Sequence, residues 1–171
     1  HVKFTLVGDD TILENGKNFK KDFLEKHKSQ DWLNRVDFKG AVSEELLFQE
    51  YAKCDFLVAP SRYESFGLIF VEAAIYGKPS VAPDIGGVKE VILDQVNGLL
   101  FEAGNELSLQ KAISKLIENP LLIEGLSKKS REIYEQKFTA NKMINSIENF
   151  MKQEVAMKSH SSNKKNIGFA N

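Results

Sequence analysis

Apolar positions along this chain switch between two spacings, and the switches mark its elements. Val2 to Val7 is rich in β-branched and aromatic residues and stops at Gly8-Asp9-Asp10, which predicts a strand and a turn. Residues 14–28 are polar and Lys-rich. Phe19, Phe23, Leu24 and His27 recur there at helical spacing, so an exposed amphipathic helix is expected, with His27 in solvent. Val36-Asp37-Phe38 predicts a short strand ending at Gly40. Ser43 then caps a helix running to Lys53, with Glu44 and Glu45 near the positive end of its dipole. Phe56-Leu57-Val58-Ala59 is a continuous apolar run ended by Pro60-Ser61, the pattern of a strand buried on both faces.

A helix over 67–76 follows, with Gly77 as its stop. Ser80-Val81-Ala82 predicts the next strand, and Asp84-Ile85-Gly86-Gly87 its turn. A short helix over 88–93, a turn at Asn97-Gly98 and a last strand at Leu99-Leu100-Phe101 complete the alternation. Beyond Asn105 the spacing is helical only, over 106–118, 121–136 and 140–157. Pro120 separates the first two helices and Thr139 caps the third. The polar tail from Ser159 is expected to be disordered, so the domain is placed at 1–157 and the tail at 158–171.

Strand–helix alternation of this kind implies one α/β domain: an open parallel sheet with helices on both faces, right-handed crossovers, and extra helices at the C-terminus. Ligands of such sheets bind at the carboxyl ends of the strands.

Composition narrows the function. With 171 residues, 42% of them apolar, the chain fills about one domain. Its 23 basic and 24 acidic side chains leave a net charge of −1, which argues against nucleic acid or an anionic membrane as partner. The lone Cys54 cannot form an internal disulfide, and it is expected to be a small core residue in a reducing, cytoplasmic setting. The longest apolar stretch, Gly67-Leu68-Ile69-Phe70-Val71, is cut by Glu72 and falls far short of a membrane span, which needs about 20 residues. The chain opens at His1 directly in a strand pattern and reads as a piece of a longer polypeptide.

Three turns converge on the expected crevice: Gly8-Asp9-Asp10, Ser61 to Gly67, and Asp84 to Gly87. Turns use Gly, Asp and Ser everywhere, so each alone says little. Glu72 is sharper. It sits among Leu68, Ile69, Phe70, Val71, Ala73, Ala74 and Ile75, where a carboxylate needs a partner. An ion pair or a backbone amide would satisfy it; so would a ligand diol. Glu64 lies eight positions earlier, about 12 Å along a helix and about 80° around it, so the two carboxylates would grip different ends of one extended ligand. Between them Ser65-Phe66-Gly67 opens the helix, where free N–H groups attract an anion.

Pro60-Ser61-Arg62-Tyr63-Glu64-Ser65-Phe66-Gly67-Leu68, continuing through Glu72-Ala73 to Gly77-Lys78-Pro79-Ser80-Val81, resembles the donor-binding signature of retaining glycosyltransferases with the GT-B fold, of the glycosyltransferase family 4 (group 1) type. Gly86-Gly87, Glu90-Val91-Ile92, Asn97-Gly98-Leu99-Leu100, Gly8-Asp9 and the stretch from Val36 to Gly40 fit its order, so the likeness covers about 1–138. The resemblance implies the Rossmann-like C-terminal half of that fold and the transfer of a hexosyl-type sugar from a UDP or GDP sugar, with retention, to a glycan or lipid-linked acceptor. Neither cofactor nor metal is implied. Glu64 would act at the donor sugar as the catalytic residue, and Glu72 would hold the ribose diol. Ser65, Phe66, Gly67 and Leu68 would line sugar and diphosphate, with Gly86 and Gly87 beside them, Gly8 at the first strand end and Val42 near the base. The family takes an Arg and a Lys for the diphosphate, and the whole acceptor domain, from sequence preceding the Gly8 strand. Those parts are absent here, so the isolated chain is expected to be inactive, and any membrane association would come through the missing domain. Asp10 and Lys89 stand where the family has Gly and Pro. The 140–157 helix would pack onto the missing domain, leaving Ile144, Ile147 and Phe150 exposed.

Rival readings fare less well. A phospho-acceptor module would need an Asp at the end of the third strand, where Ala59-Pro60-Ser61 stands. A dinucleotide domain would need a glycine fingerprint after the first strand. A two-carboxylate hydrolase would need its acids about 5–10 Å apart across one bond. The remaining alternative is a non-catalytic sugar-nucleotide-binding or interaction module of the same fold.

Overall fold

The computed structural model describes residues 2–14 and 16–165. The elements alternate as expected: β1 (Phe4–Val7), α1 (Phe19–His27), β2 (Val36–Gly40), α2 (Glu44–Lys53), β3 (Leu57–Val58), α3 (Leu68–Ile75), β4 (Ser80–Pro83), α4 (Val88–Val91) and β5 (Gly98–Phe101). The helices α5 (Glu106–Ile117), α6 (Pro120–Ile133) and α7 (Ala140–Lys165) close the order. All strand pairings between these elements are parallel.

Hydrogen bonds divide the strands into two ladders, β1-β2 and β3-β4-β5. In each ladder the strands follow one another in sequence order. β4 shows why the β3-β4-β5 ladder is stable. Its neighbours Val81 and Ala82 point to opposite faces and both are fully buried. Val81 joins Leu99, Leu116 and Leu126 on one side; Ala82 joins Phe70, Val88 and Val91 on the other. Each large apolar side chain buried here contributes about 1.5–3 kcal/mol.

Several expectations need correction. β3 is not buried on both faces: Leu57 and Val58 are half-buried, because β3 pairs only with β4. The first helix starts at Phe19 rather than near Glu14, since an Ile12–Asn18 bridge closes a turn before it. His27 is half-buried between the rings of Phe23 and Trp32, not free on a polar face. Pro120 lies inside the first turn of α6, where its missing N–H costs nothing. The helix α7 continues to Lys165, through a stretch expected to be disordered from Ser159; residues 166–171 lie outside the described part.

The caps at Ser43 and Thr139 form as expected, accepting the Leu46 and Lys142 N–H groups at 3.3 and 3.4 Å. At the end of α3, Gly77 N–H reaches the Ala74 carbonyl and Lys78 N–H the Ala73 carbonyl, the paired bonds of a Schellman stop. The Arg131 guanidinium on α6 adds a hydrogen bond to the Ile75 carbonyl, tying α6 to the same helix end.

Candidate functional site

The site is built around α3 and the loop that feeds it. Glu64 is half-buried, and its Oε1 accepts the Gly67 N–H at 3.0 Å. Gly67 is left-handed, with φ of 85°, and a Cβ there would collide with the Phe70 ring. Only glycine allows this turn to sit directly on the core. The expected free helix start is therefore partly filled: a carboxylate of the chain itself takes the first N–H. The N–H groups of Leu68 and Ile69 make no backbone or side-chain hydrogen bond in the described structure. They remain available to an anion.

Gly86 and Gly87 touch this loop. A Cβ on Gly86 would fall on the Glu64 carbonyl oxygen, and one on Gly87 on the Ser65 carbonyl oxygen. The glycine pair thus seats the 64–66 backbone. Phe66 is half-buried and meets Phe138 edge-on, with centroids 6.2 Å apart. Its ring belongs to the core, so only its backbone faces outward chemistry. Leu68, by contrast, is 65% exposed at the start of α3.

Glu72 is half-buried rather than enclosed, because it shares the exposed flank of α3 with Leu68 one turn earlier. Its partner is neither a cation nor a backbone amide. The Tyr51 hydroxyl on α2 donates to Oε2 at 2.9 Å. Tyr51 is 6% exposed, and burial, with the Glu72 hydrogen bond second, pushes its pKa well above that of a free tyrosine. It stays a neutral donor at any working pH. Sequence reasoning missed Tyr51. The only signal was an aromatic residue one turn from Leu47 and Phe48 on an apolar helix face.

The other expected residues stand apart. Gly8 donates its N–H to the Gly40 carbonyl at 3.0 Å and has nothing near its Cβ position, so its outer side is open. Val42 is half-buried in the loop after β2. Among the described residues no hydrogen bond or ring contact links either of them to Glu64 or Glu72. Asp10 is exposed and accepts the Lys20 N–H at 3.0 Å, at the start of α1. Lys89 is paired with Asp84 at 2.6 Å.

The chain as a whole is similar to known proteins. The family model for group 1 glycosyl transferases matches residues 1–119. An uncharacterised glycosyltransferase of Methanocaldococcus jannaschii is 35% identical over 141 residues, which are 82% of this chain and 38% of that protein. The N-acetyl-alpha-D-glucosaminyl L-malate synthase of Bacillus anthracis is 28% identical over 86% of this chain and 36% of its own length. The crystal structure of Anabaena HepE in complex with UDP superposes with a TM-score of 0.76 at 29% identity, covering 89% of this chain and 41% of that one. The chain thus spans well under half the length of the relatives it matches.

Proposed function

Since the chain belongs to the group 1 glycosyltransferases, we propose that it forms the donor half of a retaining, metal-independent enzyme and binds a nucleoside diphosphate sugar across α3. The observation that carries this reading is the placement of Glu64 in the loop just before α3 and of Glu72 within α3, with the free N–H groups of Leu68 and Ile69 between them. Oε2 of Glu64 and Oε1 of Glu72 are left without hydrogen bonds in the described structure. Glu64 takes the hydroxyls of the sugar, and Glu72 takes the ribose diol. Leu68 and Ile69 N–H, aided by the helix dipole, face the diphosphate.

In the transfer, the bond from the anomeric carbon to the diphosphate oxygen breaks, and its electron pair leaves on the nucleoside diphosphate. The acceptor oxygen bonds to the same carbon and passes its proton to the departing diphosphate oxygen. Charge grows on the departing diphosphate, and preorganised N–H dipoles stabilise charge best where it appears. The acceptor is held by the part of the longer relatives that this chain does not span.

The test is a ligand-observed NMR titration with UDP, GDP and ADP, with Glu72→Ala as control. One nucleotide is expected to bind in the millimolar range, about 4 kcal/mol, and the variant to lose it. Equal binding by Glu72→Ala would remove the diol role.

A further inference from the structure

We propose that Tyr51 is a positioning residue for the donor nucleotide: held by its ring against Tyr76, it fixes the Glu72 carboxylate for the ribose diol. The inference rests on the reading of Glu72 given above and adds a residue to it.

Tyr51 is restrained at three points. Its ring lies nearly parallel to Tyr76, 17° apart with centroids at 6.2 Å. Tyr76 in turn meets Phe48 at 6.3 Å. Phe48 and Tyr51 are on α2, and Tyr76 ends α3 one turn after Glu72. The stack therefore clamps α2 to the same flank of α3 that carries the carboxylate. At its backbone, the Tyr51 carbonyl accepts the Cys54 thiol at 3.4 Å. The single free polar atom of this buried side chain is the hydroxyl, and it is spent on Oε2 of Glu72.

A glutamate on a helix flank has three side-chain torsions to immobilise when it grips a ligand. A donor that is itself immobile removes part of that freedom beforehand, and preorganisation of this kind is realised as affinity. With Tyr51 on Oε2, Oε1 and the remaining lone pair of Oε2 face two adjacent hydroxyl donors. The Tyr51 hydroxyl bonds only to Glu72, so removing that hydroxyl alone acts through the hydroxyls that Glu72 reads.

This gives a test that a purely structural role would fail. Dissociation constants for UDP and for 2′,3′-dideoxy-UDP are measured on the unaltered chain, Tyr51→Phe, Tyr76→Leu and Glu72→Gln. The unaltered chain is expected to prefer UDP. Tyr51→Phe is expected to cut that preference about three- to tenfold, toward the Glu72→Gln value, with dideoxy binding unchanged. Tyr76→Leu, which keeps the hydroxyl but loosens its support, is expected to give a smaller fall in the same ratio. If Tyr51→Phe weakens both nucleotides equally, or neither, the positioning role is overturned while Glu72 keeps its own. If the unaltered chain binds both equally, or binds neither, the diol reading of Glu72 falls and the role of Tyr51 with it.

Discussion

The α-carbon of Gly86 faces the carbonyl oxygen of Glu64 so closely that no side chain fits between them. Gly87 bears on Ser65 in the same way, and the two glycines differ in one useful respect. Gly86 is left-handed, with φ of 45°, whereas Gly87 has an ordinary φ of −76°. Gly87→Ala therefore tests packing alone, and Gly86→Ala adds backbone strain of about 1–2 kcal/mol. Both are expected to destabilise, Gly87→Ala by about 1–3 kcal/mol and Gly86→Ala by more. Urea midpoints measure this; a Gly87→Ala chain as stable as the original would show that the 64–66 loop is not seated on the glycine turn.

Glu64 serves the fold as well as the proposed site. Its Oε1 accepts the N–H of Gly67, the residue that precedes α3. Glu64→Ala is expected to cost about 0.5–2 kcal/mol, as the loss of one hydrogen bond to a charged group does. Glu64→Gln retains an acceptor oxygen and should melt near the original. If both variants unfold alike, the carboxyl oxygen does not hold the turn before α3.

Tyr51 links stability to high pH. The folded state holds its proton more tightly than the unfolded chain does, chiefly through burial. A group whose pKa is raised by folding contributes fully below its unfolded value, about 10 for tyrosine, and its contribution is lost as pH rises above that. The stability difference between the original chain and Tyr51→Phe should therefore be constant at pH 7 and 9 and shrink by pH 11. A difference that does not move with pH would mean that the Tyr51 hydroxyl is not buried in the folded state.

Asn97 is 1% exposed and makes two bonds across its own turn. Its Oδ1 accepts the Leu93 N–H at 2.7 Å, and its Nδ2 donates to the Val91 carbonyl at 2.9 Å. Asn97→Ala strands both backbone groups, each worth about 1–3 kcal/mol when buried. A loss of about 2–4 kcal/mol in chemical denaturation is expected. A near-neutral result would show that water reaches this turn.

Cys54 tests the burial of the same α2 end from which Tyr51 projects. Burial pushes its thiol pKa up, so the thiolate fraction at pH 8 is lower than in the unfolded chain. Reaction with a disulfide reagent should be slower in buffer than in concentrated urea. Equal rates would mean that the α2–β3 junction opens freely.

The order of elements was legible because it is written in local spacing. Phe56 to Ala59 is an apolar run, Ser43 precedes two acids, and Gly77 follows a helix, each a short-range signal. Burial was less legible. Leu57 and Val58 read as a fully covered strand yet are half-exposed, since cover depends on which edges pair, and pairing is a long-range choice. His27 failed for the same reason. Its neighbours in sequence are polar, but Trp32 and Phe23 close over it in space.

The candidate site divides along the same line. Glu64, Gly67 and Glu72 lie within nine residues of one another, so their spacing on one loop and helix shows their relation directly. The sequence by itself therefore determined the α/β order, the helix that carries the two glutamates and the family to which they point. Only the tertiary structure decided what those glutamates bond to. Tyr51 is 21 positions from Glu72, and it reaches it because side chains of α2 extend to α3 and its C-cap Tyr76. Gly86 meets Glu64 because the turn after β4 folds back on the loop before α3. Spacing records neighbours along the chain, whereas a hydrogen bond or a close approach between distant segments exists only once packing has brought them within a few ångströms.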